Sequence, residues 1–358
     1  MNQHIFKRLL LSLFLAGAGG AIFHLLHLPI AWLLGSMTAV LIGSHFSKIA
    51  LYWPVYLRDF GILIVGYSLG LSFTKNALIQ ISHKLPSMLI VTVTIILFSA
   101  GTAYIVSRLT QISYQTILIG SIPGGLSQMI LLAEEVKGVD ITVVTFLQVA
   151  RLTMIIFVVP FLVFGPLFSQ EKMHVLESTS PLWHDLFPTI LLFLVLSIVF
   201  SLLGKRIHMP TPFLLGPIIA TAGLSLSGIH GPALPSTLLD LSQFMIGGHI
   251  GMMMKPERLP NKGRTLLLAF LSGFFLIGGS LILSIFLIKI FHFSPSTSFL
   301  SLAPGGMDQM AIMAHEVDAD LSIVTGYQLF RLFFIFFIVP PLLKWLFKIK
   351  DRDKKQHS

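Results

Sequence analysis

Two short polar stretches carry the residues of this chain that could bind a substrate or an ion. They read Ser-Ile-Pro-Gly-Gly-Leu-Ser-Gln-Met over residues 121–129 and Leu-Ala-Pro-Gly-Gly-Met-Asp-Gln-Met over residues 302–310. Proline removes a backbone donor and glycine allows unusual torsions, so a helix should break in both. Backbone freed at membrane depth can hold an ion or a small charged substrate; the alternative is a packing kink or a surface turn. The predicted binding residues here are Pro123, Gly124, Gly125, Gln128, Pro304, Gly305, Gly306, Asp308 and Gln309.

A Gln-x-x-Arg pair follows each stretch on the next apolar segment. The pairs are Gln148 with Arg151 and Gln328 with Arg331, and residues three apart are neighbours on a helix face. Apolar runs follow both arginines, so we predict that they lie within the membrane, where an arginine needs a partner. Acidic residues of the preceding segment are the expected partners in a structural ion pair. Alternatively, the guanidinium groups bind an anionic group of a substrate, such as a carboxylate.

Acidic residues and a histidine recur at helical spacing after each stretch. Glu135 and Glu316 each follow the motif glutamine by seven residues, which places each pair on one helix face. An intramembrane carboxylate beside a titratable group suits proton or cation coupling, whereas a position at the water interface is the alternative. Asp140 and Asp320 precede long apolar segments, where aspartate is a favoured N-cap. Residues with a predicted coupling or structural role are Glu135, Asp140, His315, Glu316 and Asp320.

The composition indicates an all-α polytopic membrane protein. The 358 residues are 54% hydrophobic and 11% charged, and the mean hydropathy is +0.87. Apolar runs of about 17 to 25 residues, which suit a membrane-spanning helix, recur along the chain. The lipid bilayer is therefore the first expected partner.

Enzyme chemistry finds no support in the residue pattern. Cysteine is absent, which excludes disulfides and thiolate metal sites, and the sequence contains no phosphate loop, metal-ligand cluster or nucleophile arrangement. We expect no metal and no cofactor. The net charge of +9 comes from basic clusters that flank apolar runs, so membrane topology explains it better than nucleic-acid binding.

An internal repeat organises the chain, and its second copy begins about halfway along the sequence. Pro304 repeats Pro123, and Asp240 repeats Asp59 at the same spacing. The predicted organisation is membrane repeat 1 over 1–168, a connecting loop over 169–185, membrane repeat 2 over 186–346 and a basic cytoplasmic tail over 347–358.

Basic residues in short loops predict the topology. They place both termini in the cytoplasm of a multi-pass membrane protein. Lys7 and Arg8 could open a cleaved signal peptide, but the repeat favours a retained first span. The charges fit best if each repeat has about five crossings plus one re-entrant or broken Pro-Gly-Gly segment. An odd number of crossings makes the repeats inverted, so the two segments would enter from opposite faces.

Glycine pairs predict where helices pack closely. Gly66-x-x-x-Gly70 and Gly247-x-x-x-Gly251 suit close approach of two helices, and a homodimer contact is the alternative.

The duplicated Pro-Gly-Gly motif, the following aspartate and the Gln-x-x-Arg pair together resemble the bacterial integral membrane AbrB-like family over nearly the whole chain. Its members are labelled regulators of gene expression or ammonia monooxygenases, and the resemblance implies a location in the bacterial cytoplasmic membrane. They commonly have Glu where this chain has Gln128 and Gln309.

We expect a secondary transporter or exporter of a small molecule, working by alternating access around two broken helices. Proton or cation coupling is part of this expectation. The alternative is a membrane-bound sensor that regulates gene expression, and the monooxygenase label of the family ranks third.

Overall fold

The computed structural model describes residues 3–46, 51–110, 112–136, 138–165, 168, 189–253 and 262–356. Within these ranges the secondary structure is helical and contains no strand, as the composition predicts. The predicted connecting loop over 169–185 lies outside the described residues.

The helices of the first half follow the apolar segments. They are α1 (Gln3–Leu25), α2 (Ala31–Phe46), α3 (Val55–Leu71), α4 (Lys75–Leu109), α5 (Tyr114–Ser121), α6 (Leu126–Glu135) and α7 (Ile141–Val163). Helix α4 begins before the apolar run and continues through Pro86, so the polar residues from Lys75 onwards are helical.

The second half contains α8 (Thr189–Arg206), α9 (Pro212–Leu226), α10 (Ser236–Met253), α11 (Lys262–Phe291), α12 (Pro295–Leu302), α13 (Met307–Glu316), α14 (Leu321–Phe337) and α15 (Val339–Gln356). Helix α14 ends just before the Pro340–Pro341 pair, and α15 carries the predicted tail on as helix to Gln356.

Six helical stretches of the described residues are long and apolar enough to cross a membrane. They are Ile5–Leu25, Lys75–Leu109, Ile141–Val163, Thr189–Arg206, Phe270–Phe291 and Leu321–Phe347. Many of their large apolar side chains are exposed, Phe14 and Ile282 among them, which is the surface that a lipid environment would cover.

Corresponding parts of the two halves have the same local conformation. Left-handed backbone torsions occur at His27 and Ile30 between α1 and α2, and at His208 and Thr211 between α8 and α9. A non-glycine residue with positive φ is uncommon, so this repetition indicates two similar helix corners. The inverted relation of the halves stays a prediction.

The chain forms two compact units, and each is assembled from separate segments of both halves. Unit 1 comprises Met1–Ser82, Ile156–Lys255 and Met307–Thr325. Unit 2 comprises His83–Ile155, Pro256–Gly306 and Gly326–Ser358. The predicted linear repeats and these units therefore divide the chain differently.

Glycines allow the helices of unit 1 to interleave. Helix α3 packs against α9 and α10 packs against α2, so each pair joins a helix of one half to a helix of the other. A methyl group on Gly66 would lie 2.6 Å from the carbonyl oxygen of Leu214, and one on Gly251 would lie 2.5 Å from that of Met37. The prediction of close helix approach at the glycine pairs is thus confirmed.

Candidate functional site

Two interrupted helices lie at the Pro-Gly-Gly motifs. Helix α5 ends at Ser121 and α6 begins at Leu126, which leaves a first break over 122–125. Helix α12 ends at Leu302 and α13 begins at Met307, which leaves a second break over 303–306. Both predicted interruptions are confirmed. Pro123 and Pro304 are buried, whereas the glycines range from half-buried to exposed Gly125.

The short helices before the breaks are built alike. Helices α5 and α12 each have eight residues, and both begin with a serine N-cap. The Ser113 hydroxyl accepts a hydrogen bond from the Thr116 amide at 3.3 Å, and Ser294 accepts from Thr297 at 3.2 Å. These caps satisfy amides at the start of each helix and fix where it begins.

The first Gln-x-x-Arg pair caps the carboxyl end of α5 with hydrogen bonds. Gln148 Nε2 donates to the carbonyl oxygens of Ile119 and Ile122 at 2.9 and 3.0 Å. Arg151 Nη1 donates to the carbonyl oxygens of Ser121 and Ile122 at 3.2 and 2.9 Å, while Nη2 donates to Gln148 Oε1 at 2.7 Å. The arginine is only 6% exposed, so its donors serve the broken helix end.

The second pair repeats this arrangement on α12. Gln328 Nε2 donates to the carbonyl oxygens of Leu300 and Ala303 at 2.7 and 3.2 Å. Arg331 Nη1 donates to those of Leu302 and Ala303, both at 3.0 Å, and Nη2 donates to Gly305 at 3.3 Å and to Gln328 Oε1. Arg331 is 5% exposed.

The arginines therefore bond to backbone carbonyls where acidic partners were expected. The last carbonyls of a helix lack intrahelical donors and carry its negative partial charge, which a guanidinium group complements. The two guanidinium groups are also close enough for their charges to repel each other. Arg151 Nε and the Ser121 hydroxyl are buried without a hydrogen-bond partner among the described residues.

Gln128 forms hydrogen bonds with the carboxyl end of α14, which ends before Pro340. Its Nε2 donates to the carbonyl oxygen of Phe336 at 2.8 Å and lies 3.4 Å from that of Ile335. Proline lacks an amide hydrogen, so Pro340 cannot bond to the carbonyl of Phe336 four residues earlier. The glutamine amide supplies the missing donor, which an ionised glutamate could not do.

Asp308 and Gln309 begin helix α13 in unit 1. Gln309 Nε2 donates to Asp308 Oδ2 at 2.8 Å, and Gln309 is 4% exposed. The Oε1 atom of Gln309 is buried without a hydrogen-bond donor among the described residues.

The acidic residues after the breaks have different surroundings. Exposed Glu135 forms an ion pair with Lys344, whereas half-buried Glu316 accepts a hydrogen bond from Gln243 at 3.1 Å. His315 is exposed.

Both aspartates after the breaks cap a helix, as predicted. Asp140 Oδ1 accepts from the amides of Thr142 and Val143 at 2.9 and 3.2 Å. Asp320 Oδ1 accepts from the amide of Ile323 at 3.1 Å.

Unit 1 also contains a polar group that was not predicted as a site from the sequence. Arg58 pairs with Asp59 at 2.6 Å, and its Nη1 lies 3.5 Å from His249 Nε2. Gln243 bonds to Glu316, and the charge of Asp240 acts on the same carboxylate. The match of Asp59 with Asp240 in the repeat was the available signal, because charged residues are rare in apolar segments.

No group of three or more His, Asp or Glu side chains in the described part of the chain could hold a metal ion. The interrupted helices, their buried arginine caps and the long apolar helices define the class: an all-helical integral membrane protein.

The chain belongs to the AbrB family. The family model described as "Transition state regulatory protein AbrB" matches residues 32–347. The resemblance found in the motifs is therefore confirmed.

Two relatives match nearly end to end. "Uncharacterized protein YhjN" of Bacillus subtilis (strain 168) is 25% identical over 366 residues, covering 96% of this chain and 94% of the relative. "Putative regulator AbrB" of Escherichia coli (strain K12) is 28% identical over 323 residues, covering 89% and 91%. Neither name describes an enzyme.

Proposed function

We propose that this protein is a secondary transporter or exporter of a small molecule in the bacterial cytoplasmic membrane. The observation that carries the proposal is that a buried Gln-x-x-Arg pair caps the carboxyl end of each interrupted helix. Discontinuous helices of this kind form substrate and ion sites in transporters built from repeats.

The energetics support a functional reason for the breaks. A buried arginine in a membrane segment costs at least about 2.5 to 3.5 kcal/mol on insertion scales. Continuous helices would need neither the arginine nor the glutamine, because their own amides would satisfy the carbonyls. The chain carries this cost twice, once in each copy of the repeat. Maintaining two interruptions is consistent with a substrate that contacts them.

The capped ends also indicate which backbone groups remain for a substrate. The arginines and glutamines occupy carbonyls at the ends of α5 and α12, whereas Gly125 at the start of α6 provides no side-chain cap. The first amides of a helix lack intrahelical acceptors and carry its positive partial charge. A substrate that presents hydrogen-bond acceptors suits the amide side of the first break.

Transport can be tested directly in liposomes. Purified protein would be reconstituted and screened with labelled amino acids, organic acids and amines for counterflow and for flux driven by a pH gradient. We expect saturable flux for at least one class, absent from protein-free liposomes. A Gly124→Leu variant should reduce this flux, because a side chain there meets Met129 and Ile335 beside the break. The matched control is Gly101→Ala, which meets no atom within 4 Å. Absence of flux for every compound shown to bind would refute transport.

A sensor that regulates gene expression is the second candidate, and the printed name of the Escherichia coli relative favours it. A sensor binds its ligand without moving it, so binding without flux in the same liposomes would support this candidate. An oxygenase ranks third.

A further inference from the structure

Two buried positive charges lie beside the breaks of unit 2 without an acidic partner. Arg151 and Arg331 both belong to this unit, and they are close enough for their charges to repel each other. They are 6% and 5% exposed, so little water reaches either guanidinium group. In the part of the chain that the structure describes, neither arginine forms an ion pair with a carboxylate. Buried charges are normally paired, because removing them from water costs free energy that a partner has to offset.

The capped helix ends compensate only part of this charge. Arg151 lies at the carboxyl end of α5 and Arg331 at that of α12. The carboxyl end of a helix carries roughly half a negative charge, so two guanidinium groups on two such ends leave about one positive charge. One monovalent anion from outside the chain would balance it.

The first break also keeps hydrogen-bond donors that the second break uses. Both Nη atoms of Arg331 donate twice, because Nη2 bonds to the Gly305 carbonyl as well as to Gln328 Oε1. Among the described residues, Arg151 Nη2 bonds to Gln148 Oε1 alone, and Arg151 Nε is buried without an acceptor. A guanidinium group that donates through Nε and Nη2 together matches the two oxygens of a carboxylate.

The Ser121 hydroxyl is a further buried donor at the same helix end. Ser121 is 3% exposed, its Oγ has no hydrogen-bond partner among the described residues, and its carbonyl accepts from Arg151 at 3.2 Å. Other buried serines of this unit, such as Ser99 and Ser301, donate to the carbonyl four residues earlier in their helix. The counterpart of Ser121 in the second half is Leu302, so the unused hydroxyl is specific to the first break. A buried polar group without a partner is costly, so a ligand that accepts from it would be favoured.

The first break is open at its exposed end. Gly125 is exposed, and a Cβ atom there would meet no atom within 4 Å. Helix α6 begins at the next residue, so the positive partial charge of its first turn lies beside this opening. An anion can therefore approach between the end of α5 and the start of α6.

We propose that the first break binds the carboxylate group of a small monocarboxylate, which pairs with Arg151 and the Ser121 hydroxyl and is attracted by the charge of Arg331. A planar pair of oxygens suits the Nε and Nη2 donors better than a spherical halide does. A dianion such as phosphate exceeds the charge of about one that the site leaves uncompensated. The inference rests on the proposed function in calling this ligand a substrate, whereas carboxylate binding itself does not require transport.

Carboxylate binding to the purified full-length protein in nanodiscs of zwitterionic lipid tests the inference. Isothermal titration calorimetry, in a buffer free of chloride and carboxylates, would use acetate and butyrate. The comparison probes are n-butanol, chloride and phosphate. We expect saturable binding of at least one carboxylate and at least about tenfold weaker binding of each comparison probe.

A serine variant and a matched control locate the site. Ser121→Ala removes a hydroxyl that has no partner among the described residues, so the melting temperature should stay near that of the wild type. Its carboxylate affinity should fall at least about tenfold, since hydrogen bonds to charged groups are the strong ones. The control is Ser99→Ala, which removes another buried serine hydroxyl of unit 2. Its carboxylate affinity should stay within about twofold of the wild type.

Several results would overturn the proposal. They are no binding of either carboxylate, equally tight binding of a comparison probe, or unchanged carboxylate affinity in Ser121→Ala. Size-exclusion profiles would show whether each variant is folded. If Ser121→Ala does not fold, Arg151→Lys replaces it and should also weaken binding, because lysine lacks the planar fork. Carboxylate binding without flux would uphold this inference and count against transport, whereas flux of an amine without carboxylate binding would do the reverse.

Discussion

At the level of single residues, the two Gln-x-x-Arg pairs solve the same problem in the same way. Each break leaves carbonyls that no helical amide reaches, and each pair brings donors from a neighbouring helix to them. Within each pair, the arginine also bonds to the glutamine Oε1, which orients both side chains. The arginine is thus a backbone-capping residue whose charge lies beside a helix carboxyl end.

Replacing one arginine should therefore destabilise the protein strongly. Arg331→Leu leaves the Gly305 carbonyl and Gln328 Oε1 without a donor, whereas the carbonyls of Leu302 and Ala303 keep weaker bonds from Ser280 and Gln328. With about 1 to 3 kcal/mol for each unpaired buried group, we expect the free energy of unfolding to fall by about 2 kcal/mol or more. Arg331→Lys should lie in between, because lysine keeps the charge but lacks the planar fork. Thermal unfolding in detergent measures the effect.

Arg108 provides the control for this prediction. Its side chain is exposed and donates to the Tyr104 hydroxyl on the same helix. Arg108→Leu should change the melting temperature little, since exposed pairs contribute about 0 to 1 kcal/mol. Equal melting temperatures for Arg331→Leu and the wild type would show that the carbonyls do not depend on the arginine.

At the level of elements, the packing of α3 against α9 depends on a missing side chain. A methyl group on Gly66 would lie 2.6 Å from the Leu214 carbonyl oxygen and 3.1 Å from Pro217 Cβ. The first contact is with backbone, so Gly66→Ala should force the two helices apart and cost about 1 to 3 kcal/mol. The melting temperature of the purified variant checks this expectation.

Gly101→Ala is the control for Gly66→Ala, because we expect it not to destabilise the protein. Gly101 lies inside α4, and a methyl group there meets no atom within 4 Å. Alanine has the higher helix propensity, so this change should be neutral or stabilise by up to about 1 kcal/mol. If Gly66→Ala is as stable as Gly101→Ala, the close approach of α3 and α9 is not needed for stability.

Local features of these elements could be predicted from the sequence, because short-range chemistry determines them. The breaks follow from proline and glycine, and the helix starts after Asp140 and Asp320 follow from capping. The partners of the arginines could not be predicted. They are backbone carbonyls far away along the chain, and a carbonyl has no signature in the residue types.

At the level of the whole molecule, segments of the two halves are interleaved. Helix α3 of the first half packs on α9, and α10 of the second half packs on α2. A small cavity in unit 1 depends on this exchange, because residues of α3, α10 and α13 line it. A linear division of the chain at residues 169–185 would not produce it. No motif in the sequence therefore predicts this cavity.

If the two halves are inverted, corresponding residues should be accessible from opposite sides of the membrane. If each half has an odd number of crossings, the ends of α6 and α13 reach opposite sides of the membrane. Glu134 and His315 are counterparts in the repeat near these ends, and both are exposed. The chain contains no cysteine, so Glu134→Cys and His315→Cys each introduce a single thiol without background. We expect a membrane-impermeant maleimide to label one variant in intact cells and the other only in inverted vesicles. Labelling of both from the same side would rule out the inversion, whereas the two interrupted helices and their arginine caps would stand, because their hydrogen bonds do not depend on the direction in which either half crosses the membrane.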